Sequence, residues 1–208
     1  MKYHHGNLKE KLIQSAYDWI SENGIEDISL RKIAKISNVS QTAPYRHFSS
    51  KEHLLADVTK LGFENFSFKL SSSRQNSDPI ENLVDSGIKY INFGMNNQNI
   101  ISLMFDYPLP KSDYPELLLS ANNAFAILQN RVKVLHKKDT SKNQLNSIAL
   151  HAFTHGLLNI IQMNERIDQG TKISTKDLAK SSDFYKASKK VKINLRKLLK
   201  DFIKNLEF

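Results

Sequence analysis

An all-α fold, a three-helix helix-turn-helix head joined to a larger helical body, is predicted by three observations. Apolar residues recur at helical spacing along most of the 208-residue chain, and no stretch alternates as a strand would. Seven glycines and five prolines are few, which leaves little turn material for a sheet. Residues 28–55, ISLRKIAKISNVSQTAPYRHFSSKEHLL, read as two short helices around a tight turn, followed by a third that starts on a lysine.

The first helix is expected from Leu8 to Glu22, on the stripe Leu12, Ile13, Ala16, Tyr17, Ile20, with Asn23-Gly24 as its left-handed stop. In the second, Ile28, Ile33 and Ile36 form the apolar side, and Ala34 leaves room for a crossing helix. Asn38 accepts the positive φ that a short turn between crossed helices requires. Ser40 then N-caps a third helix offering Gln41, Thr42, Tyr45, Arg46 and His47 outward, while Val39 and Phe48 anchor its ends. Ser49 or Ser50 caps the fourth, whose inner face is Leu54, Leu55, Val58, Leu61 and Phe66.

The polar run Ser71 to Pro79 is the clearest break, with Pro79 suited to a first helical position. Helices are expected over 80–98 and 99–106, then a loop at Tyr107-Pro108-Leu109-Pro110. The next helix, Pro115 to His136, turns Leu118, Ala121, Phe125, Leu128 and Val132 to one side. Residues 142–167 carry Leu145, Ile148, Ala149, Ala152, Phe153, Gly156, Leu157, Ile160 and Ile161. After a loop at 168–181, a single last helix over 183–206 puts Ala187, Val191, Leu195, Leu198, Phe202 and Leu206 inward and lysines outward.

The net charge of +9 invites a nucleic-acid reading, but its distribution weakens it. Residues 1–60 hold nine Lys/Arg against seven Asp/Glu, whereas 182–208 hold eight against three. Bulk charge therefore favours solubility and nonspecific attraction to polyanions, and the DNA case rests on the motif. With no cysteine there is no disulfide, no thiolate nucleophile and no Cys-based zinc site. The N-terminus lacks the apolar stretch of a signal peptide and no run approaches a membrane span, so a cytoplasmic protein with no membrane partner is expected.

Ser29-Leu30-Arg31-Lys32-Ile33-Ala34, Val39-Ser40, Ala43-Pro44-Tyr45-Arg46-His47-Phe48, Ser50-Lys51-Glu52 and Leu54-Leu55 together resemble the TetR-type (tetracycline-repressor-like) transcriptional regulators. The likeness extends upstream through Leu12, Ile13, Ala16 and Asn23-Gly24. The leader Tyr3-His4-His5-Gly6 resembles one branch of that family. Ser102-Leu103-Met104-Phe105 and Phe153-Thr154-His155-Gly156-Leu157 resemble that branch's C-terminal signature, with His151 where the branch has tryptophan. The resemblance implies a DNA-binding domain over 1–50 and a ligand-binding and dimerisation domain over 51–208. It further implies a homodimer, its last two long helices paired with the partner's, binding an inverted-repeat operator and controlled by a small molecule.

Carried over residue by residue, the DNA contacts are Arg31, Gln41, Thr42, Ala43, Tyr45, Arg46, His47 and Lys51. Gln41 suits a bidentate pair with adenine and Ala43 a thymine methyl; Tyr45 and His47 suit phosphate oxygens. Lys51 adds a cation where a helix N-terminus already favours phosphate. Tyr45 has a second reading as partly core, and His47 as a cap. Tyr3-His4-His5 reads either as an arm along the DNA or as an idle leader. A small, largely apolar effector is expected at Phe93, Met104, Phe105, Phe125, Phe153 and His155, aromatic, soft or polar groups spread over several helices. His151 and His155 have metal-ligand spacing but no evident third ligand, which favours a pocket or a dimer seam over zinc. No cofactor is implied. An enzyme is disfavoured, since no nucleophile elbow, phosphate loop or dense carboxylate cluster is present. A helical adaptor with a degenerate motif is the remaining alternative.

Overall fold

Helices here stop where the chain supplies a residue that tolerates the left-handed region. Gly24 (φ 79°) ends the first helix, its N–H donating to the Ile20 carbonyl at 2.9 Å. Asn38 (φ 55°) ends the second: its N–H donates to Lys35 O at 3.1 Å, and that of Val39 to Ala34 O at 3.0 Å. This pair of bonds is a Schellman motif, with asparagine in the place glycine usually takes.

The computed structural model describes residues 6–72, 76–135, 140–170 and 180–206. Every regular element among the described residues is helical. The chain runs α1 (Gly6–Asn23), α2 (Leu30–Ile36), a 3₁₀ turn (Pro44–Arg46), α3 (Lys51–Ser71), α4 (Pro79–Asn96) and α5 (Gln98–Phe105). It continues with a second 3₁₀ turn (Lys111–Asp113), α6 (Pro115–Leu135), α7 (Thr140–Gln169), α8 (Asp183–Ile193) and α9 (Leu195–Asn205). Two compact units result. One comprises Met1–Phe68 with Asn96–Phe125, the other Lys69–Met95 with Ala126–Phe208.

In the first unit, Leu12, Ala16, Ile20, Ile33, Phe48, Leu54, Leu55 and Val58 are buried. Asn99 on α5 donates to the Ser21 carbonyl of α1 at 3.0 Å, and α5 lies along α1. Gly62 on α3 lets Met104 and Ile100 come close, within 3.0–3.2 Å of where a Cβ would stand. In the second unit, α7 packs with α8 and α9. Its core includes Leu83, Val84, Ile91, Leu150, Leu158, Ile161, Leu199 and Ile203. Gln162 donates to the Gly94 carbonyl at 3.2 Å, where α4 and α7 approach.

Four expectations are corrected. The third helix expected from Ser40 is not a regular α-helix. The N–H groups of Ala43, Arg46 and His47 donate three residues back, to Ser40, Ala43 and Pro44. Pro44 has no N–H to give an α ladder, which leaves a tight 3₁₀ turn. Ile36 is exposed, because α2 has only seven residues and one face to bury. On α6 the inward face is Leu117, Ser120, Ala124 and Val132, so Leu118 points out. The last helix is two: it breaks at Asn194 (φ −101°, ψ 14°), whose amide donates to the Lys190 carbonyl at 2.9 Å. Tyr185, Ser188, Leu199 and Ile203 face inward there, while Ala187 is exposed.

Candidate nucleic-acid interface

Two caps and one left-handed residue set the geometry of the head. Ser29 caps α2, its hydroxyl accepting from the Lys32 N–H at 3.2 Å. Arg31 is thereby held exposed in the first turn of α2. Beyond the Asn38 turn, the Ser40 and Thr42 hydroxyls pair at 3.3 Å. The Pro44–Arg46 turn is fixed from below by buried Pro44 and by Phe48, which is fully buried. Anchored in this way, the turn exposes Gln41, Thr42 and Arg46, and leaves Tyr45 54% exposed. Tyr45 is therefore presented to solvent rather than to the core. Ala43 and His47 are half-buried, the His47 ring edge-on to Phe48.

Helix α3 begins shortly after this turn. Ser50 accepts from the His53 N–H at 3.2 Å, and His53 Nδ1 accepts from the Ser49 N–H at 3.4 Å. Lys51 is half-buried and donates to the Ile25 carbonyl at 3.2 Å. One of its three protons thus ties α3 to the loop after α1, and two remain for a phosphate. Glu52 in the same turn is held below the usual carboxylate range by its own backbone N–H and by the Ser50 hydroxyl. All eight residues expected to contact DNA thus lie between Ser29 and Glu52, on consecutive short elements of one unit.

One pairing in the head gives no sequence signal. Lys32 Nζ stands 3.8 Å over the ring of Trp19, whose Nε1 is buried without an acceptor among the described residues. The two residues sit on different helices, and only the packing of α1 on α2 joins them. The Tyr3-His4-His5 arm lies outside the described residues.

The six expected effector residues divide evenly. Met104, Phe105 and Phe125 belong to the first unit, where Met104 is fully buried and Phe105 meets Phe63 edge-on. Phe93, Phe153 and His155 belong to the second. There Phe153 stacks on Phe202 at 4.0 Å, and His155 Nδ1 shares a 2.7 Å hydrogen bond with the Tyr90 hydroxyl. His151 stacks on His155 at 5.9 Å and is held below its ordinary value by burial, then by the charge of His155. Two clefts in the first unit, of about 310 and 390 Å³, share Lys9 and Asp57 and are lined by none of the six. Among the described residues, no group of three or more His, Cys, Asp or Glu side chains is placed to hold a metal ion. No described helix is long and apolar enough to cross a membrane.

A capped α2, a left-handed turn and an exposed polar turn over an apolar core define a helix-turn-helix DNA-binding domain, here ahead of a larger helical body. Residues 12–58 match the profile of the bacterial regulatory proteins of the tetR family. No curated protein matches the chain in sequence. Its fold is shared by a protein of unknown function from Rhodococcus sp. RHA1 (TM-score 0.69, 19% identity, 90% of this chain and 98% of that one). A possible TetR family transcriptional regulator from Streptomyces coelicolor A3(2) is also similar (TM-score 0.62, 14% identity, 94% and 98%). So is the multidrug binding protein EbrR complexed with ethidium (TM-score 0.56, 16% identity, 94% and 98%).

Proposed function

We propose that the chain is an effector-controlled repressor: a homodimer that holds an inverted-repeat operator and releases it when a small, largely apolar molecule binds the body. The observation that carries this reading is the exposed set Arg31, Gln41, Thr42, Tyr45 and Arg46, held over buried Phe48. An adaptor that had abandoned DNA would have no physical need of that set. The 1–50 segment and the turn into α3 serve as the reading head, and 51–208 as the ligand and dimer body. The Tyr-His-His-Gly branch is the part of the family the chain belongs to on this reading.

For the dimer, α7 supports a second copy as partner. Leu145 is 67% and Ile148 56% exposed, and Ala152, one turn further on, is exposed as well. They form an apolar stripe that a single chain leaves in water. For the effector, Phe93, Phe153 and His155 supply apolar surface and a polar handle, and ethidium bound to EbrR is a precedent within the same fold. Blocking polymerase by occupancy makes repression the default.

Selection of bound sequences from a random DNA pool tests the reading. Sites with dyad symmetry and half-sites about one helical turn apart, roughly 34–36 Å, are expected. Selected sites without a dyad, or no enrichment, would overturn it. Gln41→Ala should cost roughly 1–3 kcal/mol at one base pair and relax choice there. Lys51→Ala should weaken all sequences alike and reduce the salt slope by about one unit. Leu145→Glu with Ile148→Glu should leave the helical content intact and yield a monomer by light scattering.

A further inference from the structure

Many charged groups of the second unit are matched. Glu81 and Asp85 on α4 hold Arg196 at 2.6 and 2.5 Å, and Glu81 also holds Lys200 at 2.5 Å, both cations coming from α9. Asp168 at the end of α7 takes Lys180 and Lys189. Lys89 is different. It stands one turn after Asp85, yet its Nζ is buried and meets no hydrogen-bond acceptor among the described residues. Burial first, then the nearby Arg131 and Lys69, disfavour its charged form.

Arg131 deepens the imbalance. Its guanidinium donates to the Ser86 hydroxyl and, at 2.9 Å, to the Leu70 carbonyl in the last turn of α3. Both acceptors are neutral, and a guanidinium carries five N–H donors, so donors remain. Among the described residues, Lys89 and Arg131 thus both lie near one carboxylate, Asp85, whose Oδ1 is already paired with Arg196. A buried ammonium without an anion is costly, and water can solvate it but cannot neutralise it. Ser86, Lys89, Tyr90 and Phe93 fall at i, i+3, i+4 and i+7, so one face of α4 passes from hydroxyl and ammonium to buried aromatic rings.

We propose that this cluster is a carboxylate site: the effector is an amphipathic organic acid whose carboxylate is held by Lys89 and Arg131, with its apolar part toward Tyr90 and Phe93. The assignment rests on the effector reading above and narrows its chemical class. It also places the ligand's charge beside a residue, Arg131, that already grips the end of α3, the helix that begins with Lys51.

Titration calorimetry of the full chain with octanoate and its neutral isostere octanamide tests it, with operator release followed in parallel. Charged hydrogen bonds of this kind predict that octanoate binds at least about tenfold tighter than octanamide. Lys89→Met, close in volume, should abolish that preference, and Lys89→Arg should keep it. Equal binding of acid and amide, or a preference that survives Lys89→Met, would overturn the carboxylate site, as would failure of octanoate to bind. Operator release by the amide, or by other neutral apolar compounds, without any preference for the acid would leave the effector reading standing while removing this site. Operator binding that no member of an acid and neutral panel relieves would remove both.

Discussion

Both units have apolar cores, but the second takes more polar side chains out of water than the first. In the first, the elements that carry the proposed DNA-reading residues are anchored by apolar side chains such as Leu12, Ile20, Ile33, Phe48, Leu54 and Leu55. In the second, α7 takes Asn143, Asn146, Ser147, Thr154, Gln162 and Asn164 out of water. The hydroxyls among them return to their own helix: Ser147 donates to Asn143 O and Thr154 to Leu150 O, both at 2.7 Å. An apolar core suits a head that must hold side chains at fixed places on a groove. An interior with polar groups, some bonded within α7 and others to neighbouring helices, suits a body that exchanges one set of contacts for another when something binds.

The sharpest way to break the comparison is at Phe48. It is fully buried under the exposed turn, and Phe48→Ala should cost about 3–5 kcal/mol. Operator affinity should fall with it, because Phe48 supports the turn that presents Tyr45 and Arg46. Urea denaturation followed by Trp19, the only tryptophan, reads the head directly. A midpoint within error of the parent would mean that the turn does not depend on this core.

Next come two glycines, one in each unit. A Cβ at Gly94 would stand 2.3 Å from Leu158 Cδ2 and 2.9 Å from Cδ1, and Leu158 is fully buried. At Gly62 the neighbours are Met104 Sδ at 3.0 Å and Ile100 Cγ2 at 3.1 Å, and a methionine can shift its end. Gly94→Ala should therefore lose about 1–3 kcal/mol by overpacking, with Gly62→Ala losing less. Thermal melts ranking them the other way would show the second unit to be the looser of the two.

Asn38→Val should cost about 1–2 kcal/mol, since a branched side chain resists the φ of 55° found there. Asn38→Gly should be neutral or slightly stabilising by the same measure. Equal stability of the two variants would remove the argument for a left-handed cap.

What is legible in the sequence follows from range. The head's devices are local: Ser29 acts three residues on, Asn38 ends its own helix, and Ser50 starts the next. Spacing along the chain therefore carries them, while the collapse of the third helix around Pro44 and the Lys32–Trp19 pairing escape it. The inward faces of α6, α7 and the last two helices are harder to read because burial there is not purely apolar. Leu145 and Ile148 are outside while Asn146 and Ser147 are inside. A rule that equates apolar with buried turns such a helix the wrong way. Lys89 and Arg131 carry no sequence signal for a related reason, since each is meaningful only beside residues from other helices. The proposed DNA-reading residues sit on one stretch of one unit, whereas the expected effector residues fall in two.

The smallest expected effect distinguishes the body by its histidines. His151 stacks on His155 and meets the Tyr90 ring edge-on at 5.6 Å. Burial, then the charge of His155, lowers its affinity for a proton in the folded chain. Unfolded, it takes up a proton near its ordinary value of about 6.5. Between that value and the lower folded one, the unfolded chain binds more protons, so stability must rise with pH. The contribution is complete above about pH 6.5 and is lost as pH falls through the folded value. Melting temperature measured from pH 7.5 down to pH 5 should therefore decline more steeply for the parent than for His151→Gln, whose side chain does not titrate. Parallel declines would mean that His151 takes up its proton as readily folded as unfolded, and that the buried polar groups of α7 do not make the body pH-sensitive.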